Sequence, residues 1–198
     1  MSKILRLLSL SALLSLFSLS AGAADKPWAI DEVMGRADAP ITIIEYSSLT
    51  CPHCARFEAE VLPQVKKEWI DSGKARFIMR DYIRNSLDLA GAMIAHCSGD
   101  RYFVFIDTFF HSQANWIQAA QPLDALKGIA RLGGVSAEET DKCLQNRDLL
   151  NEINARRDDA GKRYDMIGTP TFVINGTVAP DKAWQNYENF AKFLADHK

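Results

Sequence analysis

Two cysteines separated by two residues, in the motif Cys51-Pro52-His53-Cys54, have the types and spacing best suited to chemistry in this chain. Pro52 has the backbone angle favoured at the first position of a helix, which places Cys51 at the N-cap. There its sulfur could accept hydrogen bonds from the N–H groups of His53 and Cys54. A helix N-terminus and a neighbouring imidazole both favour a thiolate over a thiol. The motif therefore predicts an acidified, nucleophilic Cys51 and thiol–disulfide redox chemistry.

The same cysteine spacing could also serve a structural zinc site or an inert structural disulfide. A structural zinc ion needs four ligands, usually from two such pairs. Cys97 and Cys143 have no second ligand at a spacing of two to four residues, so we expect neither a metal nor a cofactor. An inert structural disulfide is disfavoured because the pair lies where a helix N-terminus would stabilise a thiolate.

The N-terminus has the three parts of a secretory signal peptide. Lys3 and Arg6 precede an apolar run at residues 7–19, and small residues follow, with Ala21 and Ala23 at the cleavage positions. The run is shorter than the ~20 residues that span a bilayer. We therefore expect residues 1–23 to be removed, by cleavage after Ala23 or Ala24, and the remaining chain to be periplasmic.

Composition limits the possible partners. Removal of the signal peptide leaves 21 basic and 25 acidic residues, a net charge of −4 without a basic patch. This balance argues against nucleic-acid binding. Residues 24–198 have the length of one ordinary domain with its own core.

The active motif lies within a predicted βαβ unit. Residues 41–47 are β-branched and apolar, residues 52–71 have helical periodicity, and residues 75–83 again read as a strand. Pro63 interrupts the helical stripe and should kink the helix. A strand, a helix and a strand of these lengths predict two parallel strands joined by the helix.

Residues from about 87 to 166 change character and predict a helical insertion. Ser136 and Glu139 form a capping box for one of its helices. The aromatic residues between Tyr102 and Phe110 could line a peptide groove but are more typical of a core. The predicted helices are 87–97, 101–111, 123–132, 137–145 and 148–164.

A strand signal returns after the helical block. Residues 167–174 are followed by Asn175-Gly176, the strongest short signal for a hairpin with a type I′ turn. Residues 183–197 predict a closing helix. The order βαβ, helical block, ββα predicts an α/β fold in which helices are inserted into a mixed sheet.

Three segments together resemble the DsbA family of thiol–disulfide oxidoreductases. They are A-P-I-T-I-I-E-Y at 39–46, the C-P-H-C motif at 51–54, and G-T-P-T-F-V-I-N-G at 168–176. The resemblance covers nearly all of residues 24–198. It implies a thioredoxin-like fold with an inserted helical domain.

The resemblance also implies roles for individual residues. Cys51 would be the accessible nucleophile and Cys54 its more buried partner. Glu45, on the first strand, would be a buried acid that relays a proton to or from Cys54, unless it lies at a strand end and reaches solvent. Glu58 could join it. His53 would tune the stability of the thiolate.

Thr169 and Pro170 would form the substrate-binding loop. The resemblance implies a cis peptide bond before Pro170, with the Thr169 backbone close to Cys51. An extended client could then pair with Thr169 as an added strand.

The remaining cysteines, Cys97 and Cys143, both fall in the helical block. In an oxidising compartment a pair left beside a closed C-x-x-C is expected to form a structural disulfide. Two buried free thiols are the alternative.

The motif predicts thiol–disulfide chemistry, and the resemblance implies an enzyme that donates its Cys51–Cys54 disulfide to unfolded or newly exported proteins and is reoxidised by a membrane partner. We expect a monomer. A disulfide isomerase or reductase of the same fold is an alternative, and a periplasmic copper-binding or chaperone-like protein is another.

Overall fold

The computed structural model describes residues 31–197, apart from residues 165 and 167. The predicted signal peptide lies outside the described residues. Within them, no helix is both long and apolar enough to cross a membrane.

One mixed sheet organises the described part of the chain. Its spatial order is β1-β3-β2-β4-β5, with β2 parallel to β3 and the other neighbouring pairs antiparallel. The predicted parallel pair is therefore confirmed, whereas the short edge strand β1 was missed. The strands are β1 Glu32–Met34, β2 Ile41–Ser47, β3 Ala75–Asp81, β4 Thr171–Ile174 and β5 Thr177–Val178.

The connection between β2 and β3 is an interrupted helix, as Pro63 predicts. It consists of α1 Pro52–Glu60, α2 Leu62–Val65 and a π-helical turn at Lys66–Ile70. Proline lacks an N–H and its ring clashes with the carbonyl four residues earlier, so a continuous helix cannot pass through this position. The break leaves α1 as a short, separate helix that begins at the cysteine motif.

Helices occupy the chain between β3 and β4. The predicted segments are found with small shifts at their ends, and the capping box of Ser136 with Glu139 is confirmed. A short helix, α5, was not predicted. The helices are α3 Ser86–Cys97, a 3₁₀ turn at Gly99–Arg101, α4 Tyr102–His111, α5 Gln113–Ile117, α6 Pro122–Leu132, α7 Ala137–Leu144 and α8 Arg147–Tyr164.

The C-terminal segment returns to the sheet through the predicted hairpin. Asn175 and Gly176 both have positive φ, 47° and 87°, as a type I′ turn requires. The closing helix, α9 Tyr187–Ala195, starts later than predicted because Asn186 caps it by accepting a hydrogen bond from the N–H of Asn189.

The inserted helices share their core with the sheet. Tyr102, Phe105 and Phe109 are at most 2% exposed and belong to the same apolar cluster as Ile43 and Phe57. The interpretation of this aromatic stripe as core is therefore confirmed. Shared packing fixes the position of the insertion relative to α1 and its cysteines.

Candidate active site

Cys51 lies at the junction between a loop and α1. Its backbone is extended (φ −90°, ψ 120°) and Pro52 is the first helical residue. A residue before proline avoids the helical region for steric reasons, so the sequence itself places Cys51 at the N-cap. The Cys51 sulfur makes no fully formed capping hydrogen bond, although the N–H groups of Cys54 and His53 are close enough to lower its pKa. Both thiols of the motif are free.

Cys51 is much less accessible than predicted. Cys51 is 2% exposed and Cys54 is 0% exposed. The reason is that neighbouring segments, among them the Thr169 backbone, pack against it. Cys51 lines a cavity of about 440 Å³. The cavity is lined by Cys51, Pro52, His53, Tyr82, Arg84, Gly168 and Thr169.

The surroundings of Cys51 lower its pKa to about 5. The largest cause is a hydrogen bond from the Cys54 thiol, which favours the thiolate and outweighs the opposing effect of burial. Thr169 and the backbone N–H groups of Cys54 and His53 lower the pKa further. The helix start thus acts on the sulfur through its N–H dipoles even without a completed capping bond.

Cys54 has the opposite tendency. Burial, the neighbouring Cys51 sulfur and the carboxyl of Glu45 raise the pKa of the Cys54 thiol well above its usual value. At neutral pH the charge therefore resides on Cys51 and the proton on Cys54. This asymmetry assigns nucleophilic and resolving capacity to different sulfurs.

Glu45 points into the core from β2. Alternation along the strand puts it on the inner face with Ile43 and Ser47, and it is 1% exposed. Neither carboxyl oxygen has a hydrogen-bond partner among the described residues. Burial, then Glu58 and Cys51, raise the pKa of Glu45 well above its usual value.

Ser47 belongs to this buried group and was missed by sequence reasoning. Its hydroxyl is buried without a fully formed hydrogen bond among the described residues, but it is close enough to Glu45 and Cys54 to lower the pKa of both. Its place two residues after Glu45, on the same face of β2, is the signal that could have found it.

Glu58 is half-buried on α1. Burial and the nearby Asp107 raise its pKa to about 8. Glu58 in turn raises the pKa of Glu45. It therefore influences Glu45 but is not among the residues that shift the pKa of Cys54 most strongly.

Thr169 and Pro170 lie against Cys51, although 118 residues separate Cys51 from Thr169. The Thr169–Pro170 peptide bond is cis, and the Cys51 thiol donates a hydrogen bond to the Thr169 carbonyl at 3.2 Å. The backbone placement implied by the resemblance is thus found in the structure.

His53 is exposed on α1, next to the buried Cys54. Its ring centroid lies 6.1 Å from that of Trp184. It lines both the Cys51 cavity and a second cavity of about 290 Å³ formed with Arg56, Asp181 and Trp184. His53 therefore lies between the two cavities, both of which are also lined by Thr169.

The inserted helices hold the loop that precedes Cys51. The buried Asp88 carboxylate on α3 accepts hydrogen bonds from the Ser48 hydroxyl at 2.6 Å and from the Thr50 N–H at 3.3 Å. The Gln113 amide on α5 donates to the carbonyls of Leu49 and Cys51 at 2.8 and 3.0 Å. Sequence reasoning missed both residues because 38 to 64 positions separate the partners.

Comparison with known proteins agrees with this geometry. A family model described as Thioredoxin matches residues 30–196. A putative protein-disulfide oxidoreductase of Rickettsia bellii is 34% identical over 148 residues, which are 74% of this chain and 57% of the relative. The chain spans less than two thirds of the length of this and other Rickettsia relatives.

Solved structures match over most of both chains. Alpha-DsbA1 of Wolbachia pipientis has a TM-score of 0.78 at 27% identity, covering 84% of this chain and 90% of that one. A protein-disulfide isomerase of Novosphingobium aromaticivorans has a TM-score of 0.73 at 26% identity, covering 86% and 99%. The chain therefore belongs to the thioredoxin family, with the fold of the DsbA structures.

Proposed function

We propose that this protein is a periplasmic thiol–disulfide oxidoreductase that donates its Cys51–Cys54 disulfide to newly exported proteins. The observation that carries the proposal is the opposite shift of two thiol pKa values within one four-residue motif, with Cys51 lowered to about 5 and Cys54 raised. Such a pair has a stable thiolate at one sulfur and a protonated thiol at the other.

The reaction begins from the disulfide form. A client thiolate attacks the Cys51 sulfur, the Cys51–Cys54 bond breaks, and its electron pair leaves on Cys54. Cys54 then takes a proton, for which the neighbouring Glu45 carboxyl is the candidate donor because burial raises its pKa and so favours its protonated form. The product of this step is a mixed disulfide between the client and Cys51.

A second client thiolate completes the transfer. It attacks the client sulfur of the mixed disulfide, and Cys51 leaves as a thiolate. A thiol of low pKa is a good leaving group, so the pKa of about 5 favours release. The client gains a disulfide, and the protein is left with two reduced cysteines.

The direction of the reaction follows from the same pKa. Each pKa unit corresponds to about 1.36 kcal/mol, and about 1.4 kcal/mol corresponds to about 30 mV for a two-electron couple. At pH 7 a Cys51 pKa of about 5 stabilises the reduced form by about two pKa units relative to an ordinary thiol, which makes the disulfide more oxidising by about 60 mV.

The client site proposed here is the segment around Thr169 and Pro170. An extended chain could pair with the Thr169 backbone while its cysteine enters the Cys51 cavity. Main-chain pairing carries little side-chain information, so one site would serve many unfolded clients. We further propose that the protein works as a monomer, and that a membrane oxidant removes the two electrons after each turnover.

A disulfide isomerase is the second candidate, because the Novosphingobium structure that matches this fold carries that name. An isomerase attacks mispaired client disulfides with its reduced Cys51, whereas an oxidase delivers its own disulfide. The two roles require different redox midpoints.

Equilibration of purified residues 24–198 against glutathione redox buffers tests the proposal. We expect a midpoint well above the about −270 mV typical of reducing thioredoxins, together with stoichiometric oxidation of a reduced, unfolded client. A thioredoxin-like midpoint would contradict the oxidase. Rearrangement of a mispaired client without net oxidation would favour the isomerase.

A further inference from the structure

The cavity lined by Cys51 has a cation, Arg84, on its wall. Arg84 lines this cavity and is exposed. Among the residues that the structure describes, no acidic side chain pairs with it. Several other arginines are paired with aspartates, namely Arg36, Arg80, Arg156, Arg157 and Arg163.

The backbone of Arg84 is fixed relative to Cys51. Its N–H donates to the Asp88 carboxylate at 3.1 Å. The same carboxylate holds Ser48 and the Thr50 N–H in the loop before Cys51. The buried Asp88 carboxylate therefore fixes both the loop before Cys51 and the backbone of Arg84. The position of the Arg84 backbone thus does not depend on contacts made by its guanidinium.

The charge around the two cavities is uneven. In the second cavity, Arg56 shares the lining with Asp181, and its guanidinium lies over the Trp184 ring at 5.7 Å. In the Cys51 cavity, Arg84 has no carboxylate among the lining residues. Among the described residues that line the Cys51 cavity, the Arg84 guanidinium is therefore a cation that no lining carboxylate offsets.

We propose that Arg84 makes this protein favour clients that carry an acidic residue beside the cysteine that attacks Cys51. The inference rests on the proposed oxidase function and adds a substrate class to it. The client thiolate attacks Cys51 as described above, with Cys54 leaving, while the flanking carboxylate lies near the guanidinium. Arg84 acts on the approach and orientation of the client and takes no part in bond making.

The expected effect is moderate and depends on salt. One opposite charge at about 4 Å in water changes a rate or affinity by about fivefold. Screening shortens the reach of the interaction from about 10 Å at 0.1 M salt to about 3 Å at 1 M. The preference should therefore shrink at high ionic strength.

The test uses short dithiol peptides that are identical except for Glu, Gln or Lys next to the first cysteine. Each reduced peptide is mixed with the oxidised protein, residues 24–198, and the second-order rate of peptide oxidation is measured. The native protein is compared with Arg84→Gln and Arg84→Glu. Arg131→Glu is the matched control, because Arg131 is an exposed arginine of α6 that lines neither cavity.

We expect the native protein to oxidise the Glu peptide about fivefold faster than the Gln peptide, with the Lys peptide slowest. Arg84→Gln should remove this order and Arg84→Glu should invert it, whereas Arg131→Glu should keep it. Equal rates in the native protein, or the same order in native and Arg84→Glu, would overturn the inference while leaving the oxidase intact. Failure of the native protein to oxidise any peptide would instead refute the proposed function.

Discussion

The two cysteine pairs of this chain differ in their neighbours more than in their burial. Cys51 and Cys54 are 2% and 0% exposed, Cys143 is 4% exposed, and Cys97 is half-buried. Yet the first pair consists of free thiols, whereas Cys97 and Cys143 form a disulfide between α3 and α7. Accessibility alone would select the wrong pair as reactive.

The neighbours explain the difference. Around Cys51 and Cys54 lie a helix N-terminus, a backbone carbonyl and a buried carboxyl, which shift the two thiol pKa values in opposite directions. Around Cys97 and Cys143 lie Met93, Leu149 and Ile153. A polar environment that differs between the two sulfurs gives Cys51 and Cys54 different pKa values and different roles. The apolar surroundings of Cys97 and Cys143 make no such distinction, and these two cysteines form a covalent link.

The largest expected effect comes from removing one sulfur of the reactive pair. Cys54→Ala should abolish turnover and, when mixed with a client that carries a disulfide, should accumulate mixed disulfides through Cys51. The Cys51 thiolate attacks the client disulfide, one client sulfur leaves, and no resolving thiol remains to release the other. Mass spectrometry of trapped clients identifies the linked cysteine. Cys51→Ala is the matched control and should trap no client. Clients attached through Cys54 in that variant would reverse the assignment of roles.

Removing the other pair should affect stability and leave the chemistry unchanged. Cys97→Ala with Cys143→Ala opens a link across 46 positions, which should lower the free energy of unfolding by about 4 kcal/mol. Denaturant unfolding measures this loss, and glutathione equilibration measures the midpoint of Cys51 and Cys54. A change in that midpoint comparable with the change in stability would show that the pairs are coupled.

Glu45 tests whether the buried carboxyl near Cys54 transfers a proton. Glu45→Gln keeps the shape but cannot donate, so the formation of mixed disulfides by the oxidised protein should slow by on the order of a hundredfold. Glu58→Gln is the control, because Glu58 influences Glu45 but is only half-buried. Equal slowing in both variants would mean that local charge, not proton donation by Glu45, limits the step.

The same variant has a signature in stability. The folded pKa of Glu45 is raised above its unfolded value of about 4.5, so the folded protein holds its proton more tightly. Its stabilising contribution is present below the unfolded pKa and is lost as pH rises through the folded pKa. Glu45→Gln should flatten this decline in the free energy of unfolding above about pH 4.5, and an unchanged decline would contradict the raised pKa.

Local patterns were sufficient to predict much of the fold. Proline before a helix, Asn-Gly between strands and Ser136 with Glu139 each act over a few residues, and the structure contains the corresponding helix start, turn and cap. Edge strand β1 was missed because three residues, Glu32–Met34, carry too little periodicity. Its pairing with β3 depends on a partner more than 40 residues away.

The site was predictable only where one short motif carries the chemistry. Cys51 and Cys54 are adjacent in sequence, whereas Asp88 and Gln113 reach the active loop from helices that only the folded chain brings near. Arg84 has no sequence signal, because an arginine after a strand is ordinarily a solvated charge. The enclosure of Cys51 likewise depends on Thr169 and on the shared core of the inserted helices.

His53 gives the smallest expected change and the sharpest test of what acidifies Cys51. The sequence suggests that the imidazole tunes the thiolate. In the structure the ring faces Trp184, and the main causes of the low Cys51 pKa are Cys54, Thr169 and backbone N–H groups, including that of His53 itself. Because His53→Ser keeps this N–H, the pKa of Cys51 should rise by no more than about one unit, equivalent to about 1.4 kcal/mol and about 30 mV.

Thiolate absorbance near 240 nm as a function of pH measures this shift directly in the reduced protein. Cys54→Ser provides the comparison, because it removes the thiol that contributes most to the low Cys51 pKa. It should therefore raise that pKa more than His53→Ser does. If His53→Ser raised the Cys51 pKa more than Cys54→Ser does, the imidazole and not the Cys54 thiol would be the main cause of the low pKa. The contrast between the two cysteine pairs would then depend on one exposed side chain, and the buried polar environment that separates them here would be secondary.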